Sequence, residues 1–225
     1  MINFPKSQPA PKCLAEEKKK KSGDYKCGEV LKRLQKDFLN KCYICEDKGI
    51  TSINVEHFKS HEGDIDLKFD WNNLLYACSH CNNTKNVKRD KFDNILNCTN
   101  KNDKILEWIS FEIESFPKEK AIIRNLVDDT RVKNTVELLE KVYNGHTTNI
   151  KQLEAANLRS KLLDEINDFK EVIKQFKNPP FQIPGYKKML KDKITDNLKS
   201  SSPFTAFKVW IIKEDKEMSN RFKLP

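Results

Sequence analysis

Four cysteines give the strongest chemical signal in the sequence, as two Cys-x-x-Cys pairs at Cys42/Cys45 and Cys78/Cys81. Each pair can bring two sulfurs to one ion, and two pairs complete a tetrahedral set of four thiolates. Paired doublets of this kind are typical of zinc sites, although a thioredoxin-like redox pair or disulfides would use the same residues. We predict a structural Zn²⁺ bound by these cysteines, with a sizeable segment folded between the two pairs.

A second group of candidate residues lies between and just after the cysteine pairs: Glu56, His57, Asn73 and Asn82. A histidine with an ordinary pKa of about 6.5 can accept a proton at neutral pH. Carboxylate and amide oxygens suit hard divalent cations. Taken singly, the histidine would be an ordinary surface or core residue and each asparagine a turn former. Together at this spacing, these residues favour a catalytic site.

Two short strands and a helix are the elements that would position this group. The alternation of Ile53 and Val55 predicts a strand that ends at His57, and residues 74–77 predict a second strand. Residues 81–92 contain no run of β-branched residues, which favours a helix. Strand, loop, strand and helix, joined at their ends by zinc, form a ββα unit.

The order Glu-His, Asn-Leu and Cys-x-x-Cys-Asn-x-x-Lys resembles the HNH nuclease family, whose fold is the ββα-metal finger. The resemblance implies that His57 is the general base that deprotonates a water. It also implies that Glu56 and Asn82 hold one Mg²⁺ or Mn²⁺, which would stabilise charge on the leaving 3′ oxygen. Asn73 would brace the loop and orient the histidine. Many family members have Asp at the position of Glu56. A carboxylate is retained but is one methylene longer, so the distance to the metal is in doubt and the type of metal is not.

Across most of the chain, the layout is similar to the PtuB-type HNH nucleases of the Septu antiphage system and some retrons. Matching runs include Lys-Cys-Tyr-Ile-Cys-Glu at 41–46, Tyr-Asn-Gly-His-Thr at 143–147 and Pro-Phe-Thr-Ala-Phe at 203–207. This resemblance implies an antiphage effector that cuts DNA with PtuA, an ABC/SMC-like ATPase, in a higher-order complex. The helical tail and its apolar end would then be the docking surface. Two alternatives stay open, a non-catalytic zinc knuckle that binds nucleic acid or a partner, and an HNH enzyme that cuts RNA.

Charge favours a polyanionic partner, because the formal net charge is +9 at pH 7. The excess lies outside the candidate site. Residues 1–40 hold ten Lys and Arg against five Asp and Glu, whereas residues 41–100 hold eight against nine. Phosphate contacts would therefore come from the chain ends and from the basic residues after Cys81, which are Lys85, Lys88, Arg89 and Lys91. Lys85 could equally support the fold.

We predict an α+β fold, mostly helical, in four segments. These are a basic Pro- and Lys-rich arm (1–28), a zinc-stabilised HNH core with an N-terminal helix (29–100), a loose hairpin (101–130) and a helical region (131–225). The arm is expected to be mobile, with a phosphate-binding role as the alternative. Predicted helices span 29–39, 134–145, 149–177, 186–198 and 204–212. The apolar stripe of the longest helix would pack within the chain or against a partner.

The remaining cysteines and histidines carry weaker signals. Cys13, Cys27 and Cys98 form an odd, scattered remainder, which predicts free thiols and a reducing cytoplasm. His61 is predicted to be a solvated loop residue and His80 part of the second zinc turn, with a phosphate contact as the alternative for either. The acidic residues Glu62, Asp64, Asp66 and Asp70 predict a hydrated connection, with a further metal ligand as the alternative. No apolar run approaches the length that would span a bilayer.

Overall fold

The computed structural model describes residues 1–145, 148–180 and 183–224, so His146 and Thr147 of the Tyr-Asn-Gly-His-Thr motif lie outside the described residues. The fold is mixed α+β with two small antiparallel sheets, and about half of the chain is helical, less than predicted. The strands are β1 (Ile53–His57), β2 (Leu74–Cys78), β3 (Ile109–Ile113) and β4 (Ala121–Asn125). The helices are α1 (Lys12–Lys18), α2 (Gly28–Asp37), α3 (Ile65–Lys68), α4 (Ser79–Asn86), α5 (Arg89–Phe92), α6 (Ile105–Trp108), α7 (Thr130–Asn144), α8 (Asn149–Lys177), α9 (Tyr186–Leu198), α10 (Thr205–Glu214) and α11 (Lys216–Arg221).

The predicted strand–strand–helix order is present around the cysteine pairs. β1 and β2 pair antiparallel with His57 opposite Leu74, and α4 follows β2 directly. The predicted helix over 81–92 is broken in two, because the backbone of Lys88 (φ −135°, ψ 63°) leaves the helical region before α5 begins. Of the basic residues predicted to contact phosphate, Lys85 therefore lies on α4, whereas Arg89 and Lys91 lie on α5.

The N-terminal segment is not the mobile arm that its composition predicted. Met1, Ile2 and Phe4 are buried, and the ring of Phe4 packs on Phe38 with centroids 5.1 Å apart. The backbone N–H of Phe4 also donates to the carbonyl of Cys98 at 2.8 Å. Three apolar side chains at the start of a polar segment are enough to hold it against the core.

A disulfide joins Cys13 to Cys27, so the prediction of free thiols was wrong for these two residues. Cys13 lies in α1 and Cys27 caps α2, and the packing of the two helices brings their Cα atoms within 6.5 Å. Cys98 is free and buried. The predicted reducing compartment was inferred from unpaired thiols, and the Cys13–Cys27 disulfide removes that argument.

The C-terminal half contains the helices that periodicity predicted, with shifted starts. α8 and α9 have the predicted bounds, whereas α7 begins at Thr130 with Asp129 as its N-cap. Asn134, where the predicted helix began, lies inside α7 and its amide donates to the carbonyls of Lys91 and Asn94 at 3.2 and 2.9 Å. The helix begins earlier than predicted because Asp129 caps it.

The apolar end of the chain is used inside the protein. Phe204, Phe207, Val209 and Ile212 are buried, and the ring of Phe207 packs edge-on against Phe111 of β3. One apolar cluster joins residues from the N-terminal segment, the cysteine-rich unit, the β3–β4 hairpin and α7, α8 and α10. A second cluster joins the end of α8 with α9, α10 and α11. These residues do not form the exposed docking surface that the family resemblance implied.

Within the described ranges, no helix combines the length and apolar character that a membrane crossing requires.

Candidate metal centre and active site

The four cysteines of the two pairs come together at one buried point. Their sulfurs all lie within 4.8 Å of one another, and those of Cys45 and Cys78 are 3.9 Å apart. A tetrahedral zinc–thiolate site with 2.3 Å bonds requires sulfur–sulfur distances of about 3.8 Å. The set therefore fits a structural Zn²⁺, as the sequence predicted, and no disulfide forms among these cysteines.

Local structure prepares this site for a metal. Cys78 ends β2 and caps α4, and its sulfur accepts the backbone N–H of Cys81 at 3.4 Å. Hydrogen bonds from the thiol of Cys42, and then from Cys45 and Cys81, hold the pKa of Cys78 well below its usual value. A cysteine that favours its thiolate form is a ready metal ligand.

A buried ion network connects the first cysteine pair to the ends of the chain. Glu46 follows Cys45 directly, and its carboxylate pairs with the Met1 ammonium at 2.7 Å and with Lys41 at 3.1 Å. The Lys41 ammonium also donates to the hydroxyl of Thr205 at 3.1 Å. The pairing favours the charged carboxylate, so the pKa of Glu46 lies below its ordinary value despite burial.

A cleft of about 280 Å³ beside the cysteine unit contains three of the four predicted site residues. Glu56 and His57 reach it from the end of β1, and Asn82 reaches it from the first turn of α4. The same cleft is lined by Tyr25, Lys26, Asn54, Val55, Ser60, His61, Glu62, Asn86 and Arg89. The β-hairpin and the following helix therefore bring the predicted base and the predicted metal ligands to one place.

The hydrogen bond of His57 defines which ring nitrogen can accept a proton. Its Nε2 lies 3.0 Å from the carbonyl oxygen of Lys68, which only accepts hydrogen bonds, so Nε2 carries the proton. Nδ1 is left as the acceptor of the neutral ring. Burial lowers the pKa of His57, although the hydrogen bond to Lys68 opposes this shift. The ring is therefore neutral at physiological pH.

Asn73 lies outside the cleft and holds its edge in place. Its side-chain amide donates to the carbonyls of Lys59 and Leu67 at 3.0 and 3.1 Å, and its oxygen accepts the N–H of Lys59 at 2.8 Å. These bonds join Lys59, two residues after His57, to Leu67. The next residue, Lys68, provides the carbonyl that accepts the hydrogen bond of His57. The contacts of Asn73 are those of a loop brace.

Glu56 and Lys85 form a buried ion pair at the cleft. The Lys85 ammonium lies 3.1 Å from Oε1. Burial raises the pKa of Glu56 to about 7, although the neighbouring ammonium opposes this shift. Asn82 forms no side-chain hydrogen bond within the described part of the chain. The Glu56 carboxylate and the free amide oxygen of Asn82 are oxygen donors of the kind that hard divalent cations prefer.

Lys85 supports the fold rather than contacting phosphate. Its side chain is 2% exposed, and besides Glu56 it donates to the carbonyls of His57 and Phe58 at 3.2 and 2.9 Å and pairs with Asp93. A buried ammonium with four partners is not accessible to nucleic acid. Of the two roles left open for Lys85 by the sequence, its contacts support the structural one.

Removing one partner of this ion pair should destabilise the protein strongly. We expect Lys85→Met to lower the free energy of unfolding by about 3–5 kcal/mol, because it leaves the Glu56 carboxylate buried without a counter-charge. The double variant Glu56→Gln with Lys85→Met should recover part of this loss, which denaturant unfolding of the single and double variants would measure. A double variant less stable than Lys85→Met would show that the pair does not carry the effect.

The other predicted phosphate-binding residues divide into two groups. Lys88 and Lys91 extend towards α7, where both pair with Glu137. Arg89 is exposed and lines the cleft together with Lys26, which the sequence did not nominate. Both positive charges are exposed at the candidate site.

Two aromatic neighbours of His57 were missed by the sequence reasoning. Tyr25 packs on the imidazole with ring centroids 4.5 Å apart, and His61 packs on it edge-on at 4.7 Å. Tyr25 belongs to the segment predicted to be mobile, which the Cys13–Cys27 disulfide closes. His61 lies in the loop after β1, as predicted, but it is only partly exposed and lines the cleft.

The remaining polar residues of the region are structural. His80 lies between helices, with Nε2 donating to the Val142 carbonyl and Nδ1 facing the Glu154 carboxylate, both at 2.8 Å. In the acidic loop, Asp64 caps α3 and Asp70 caps the short 3₁₀ turn before β2. The signal for both caps is an acidic residue directly before a helical turn, which the sequence reading passed over as a hydrated connection.

Comparison with known proteins gives a distant and partial similarity. No protein-family model matches the chain. The Septu protein PtuB of Bacillus thuringiensis is 36% identical to it over 63 residues. The match covers 27% of this chain and 24% of that protein, so the chain spans about a quarter of the length of its relative.

Proposed function

We propose that this chain is a metal-dependent endonuclease of the HNH type that hydrolyses DNA phosphodiester bonds. The observation that carries the proposal is the shared cleft of His57, Glu56 and Asn82 at the end of a ββα unit. A binding module has no need of a neutral histidine next to a buried carboxylate. The four-cysteine site would hold this unit together through zinc.

In the proposed reaction, His57 Nδ1 takes a proton from a water that attacks phosphorus in line. The bond between phosphorus and the 3′ oxygen breaks, which leaves a 5′-phosphate and a 3′ oxygen that takes a proton from solvent to become a hydroxyl. The Lys68 carbonyl keeps the imidazole in the tautomer that can accept the proton. Glu56 and Asn82 would hold the cation, which supplies positive charge to the phosphoryl group and the leaving oxygen when bound. Lys26 and Arg89 would contact the substrate backbone.

We further propose that the chain is the nuclease component of a Septu-type antiphage system and acts with a PtuA-like ATPase in the cytoplasm. The similarity to the Septu protein PtuB supports this assignment. Most apolar residues of α10 are buried in the chain, and only Trp210 and Ile211 are partly exposed, so a partner would mainly use another surface.

The substrate class is tested with matched double-stranded DNA and RNA of one sequence, incubated with the wild type, with Glu56→Gln and with Mg²⁺ or Mn²⁺. We expect cleavage of the DNA by the wild type, and a loss of at least about tenfold in Glu56→Gln, because an amide is a weaker ligand for the cation than a carboxylate. Cleavage of the RNA alone would favour the RNA-cutting alternative. Binding of DNA without cleavage, also in the presence of the ATPase, would favour a binding module.

A further inference from the structure

His61 and His57 form a pair of imidazoles in the cleft. Their ring centroids are 4.7 Å apart, and both rings line the same cavity. His61 is held by a tight turn in which the N–H of Asp64 donates to the His61 carbonyl at 2.6 Å and Gly63 takes a φ of +93°. That φ favours glycine, because a Cβ would be strained there. The second imidazole is therefore a fixed part of the cleft.

Backbone hydrogen bonds give the two rings complementary roles. The N–H of Gly63 donates to Nδ1 of His61 at 3.2 Å, so this nitrogen carries no proton and Nε2 does. In His57 the proton is also on Nε2, but there it is engaged with the Lys68 carbonyl, which leaves Nδ1 as an acceptor. The cleft thus presents one proton acceptor on His57 and one N–H donor on His61.

The contact between the rings indicates which phosphate oxygen the donor serves. In-line displacement places the attacking and leaving oxygens on opposite sides of phosphorus. His57 acts on the attacking water, and His61 touches His57, so both belong to the attacking side. An N–H donor on that side reaches a non-bridging oxygen rather than the leaving 3′ oxygen. Charge on this oxygen grows towards the transition state, where a fixed donor is most effective.

We propose that His61 is a second catalytic residue whose Nε2–H donates to a non-bridging oxygen of the scissile phosphate while His57 deprotonates the water. The proton stays on His61 throughout. This inference rests on the proposed nuclease function and assigns a role to a residue outside the Glu-His, Asn and Cys-x-x-Cys-Asn pattern.

Two variants separate the donor from the ring contact. His61→Gln keeps an N–H donor and loses the ring, whereas His61→Phe keeps a ring against His57 and loses the donor. In single-turnover cleavage of duplex DNA with Mg²⁺, we expect His61→Phe to lose about 10²–10³-fold, the usual effect of removing one such donor. His61→Gln should stay within about tenfold of the wild type by the same reasoning. Zinc content and melting temperature would establish that both variants fold.

Replacing a non-bridging oxygen of the scissile phosphate with sulfur weakens a hydrogen bond to that position, because sulfur accepts hydrogen bonds poorly. The effect of this replacement on the cleavage rate would not depend on His61 if the residue only packed against His57. One phosphorothioate diastereomer should slow the wild type and have no further effect on His61→Phe. A His61→Phe variant that cuts at the wild-type rate, or a His61→Gln variant that loses as much as His61→Phe, would overturn the inference. The comparison of the wild type with His57→Ala separates the two proposals. If the wild type cuts and His57→Ala does not, either of these outcomes for the His61 variants would count against the role of His61 and not against the nuclease function. If the wild type itself cuts nothing, the proposed function fails and this inference fails with it.

Discussion

Replacing Cys78 with serine is expected to abolish zinc binding and leave the protein unfolded or insoluble. Cys78 provides one of four sulfurs within 4.8 Å of one another and also caps α4. Structural zinc contributes on the order of 10 kcal/mol of binding free energy, which is comparable to the whole stability of a domain. Metal analysis of the purified protein should show about one zinc per wild-type chain and close to none in Cys78→Ser, with loss of helical circular dichroism.

Cys98→Ser is the matched control for this prediction. Cys98 is a buried, free thiol outside the four-cysteine cluster, so its replacement changes a buried sulfur without removing a metal ligand. We expect Cys98→Ser to keep its zinc and to lose only the modest stability of an imperfect core substitution. A Cys78→Ser variant that folds with wild-type zinc would contradict the assignment of the metal centre.

His57→Ala is expected to lower the rate of DNA cleavage by about 10²–10⁴-fold or more while the fold stays intact. The rate falls because His61, the other imidazole that lines this cleft among the described residues, has its unprotonated Nδ1 engaged with the N–H of Gly63. The cost to stability should be small, about 0.5–1.5 kcal/mol for the lost hydrogen bond to Lys68. Single-turnover kinetics with excess enzyme would isolate the chemical step from product release.

The fold control for His57→Ala uses the same zinc and melting measurements. A variant with wild-type zinc content and a melting temperature lowered by only a few degrees separates loss of the base from loss of structure. If such a variant cuts at the wild-type rate, the general base is another group. A variant that also loses its zinc would mean that the imidazole is needed for the fold of the cleft.

Local patterns in the sequence predicted the parts of the site that depend on local structure. The alternation of Ile53 and Val55 placed His57 at a strand end, and the spacing of Cys78 and Cys81 placed Asn82 in the turn that follows. In both cases the periodicity of a strand or the geometry of a short turn is fixed by neighbours in sequence.

Contacts between distant segments explain what the sequence did not predict. Tyr25 reaches His57 only because α1 and α2 pack together and a disulfide closes the segment between them. The burial of Lys85 depends on Glu56 and Asp93, which approach it from a strand and from the residue after α5. Composition marked both regions as basic and exposed, and it carries no information on which charged side chains will find a buried partner.

The central claim, that the cleft around His57 hydrolyses DNA, is tested most directly by nicking of supercoiled plasmid. Wild type and His57→Ala would be compared with Mg²⁺, with Mn²⁺ and without added cation, each with and without the candidate ATPase partner. We predict nicked or linear plasmid only with the wild type and an added cation. Equal cleavage by the two proteins, or no cleavage by the folded, zinc-containing wild type in any of these conditions, would contradict the claim.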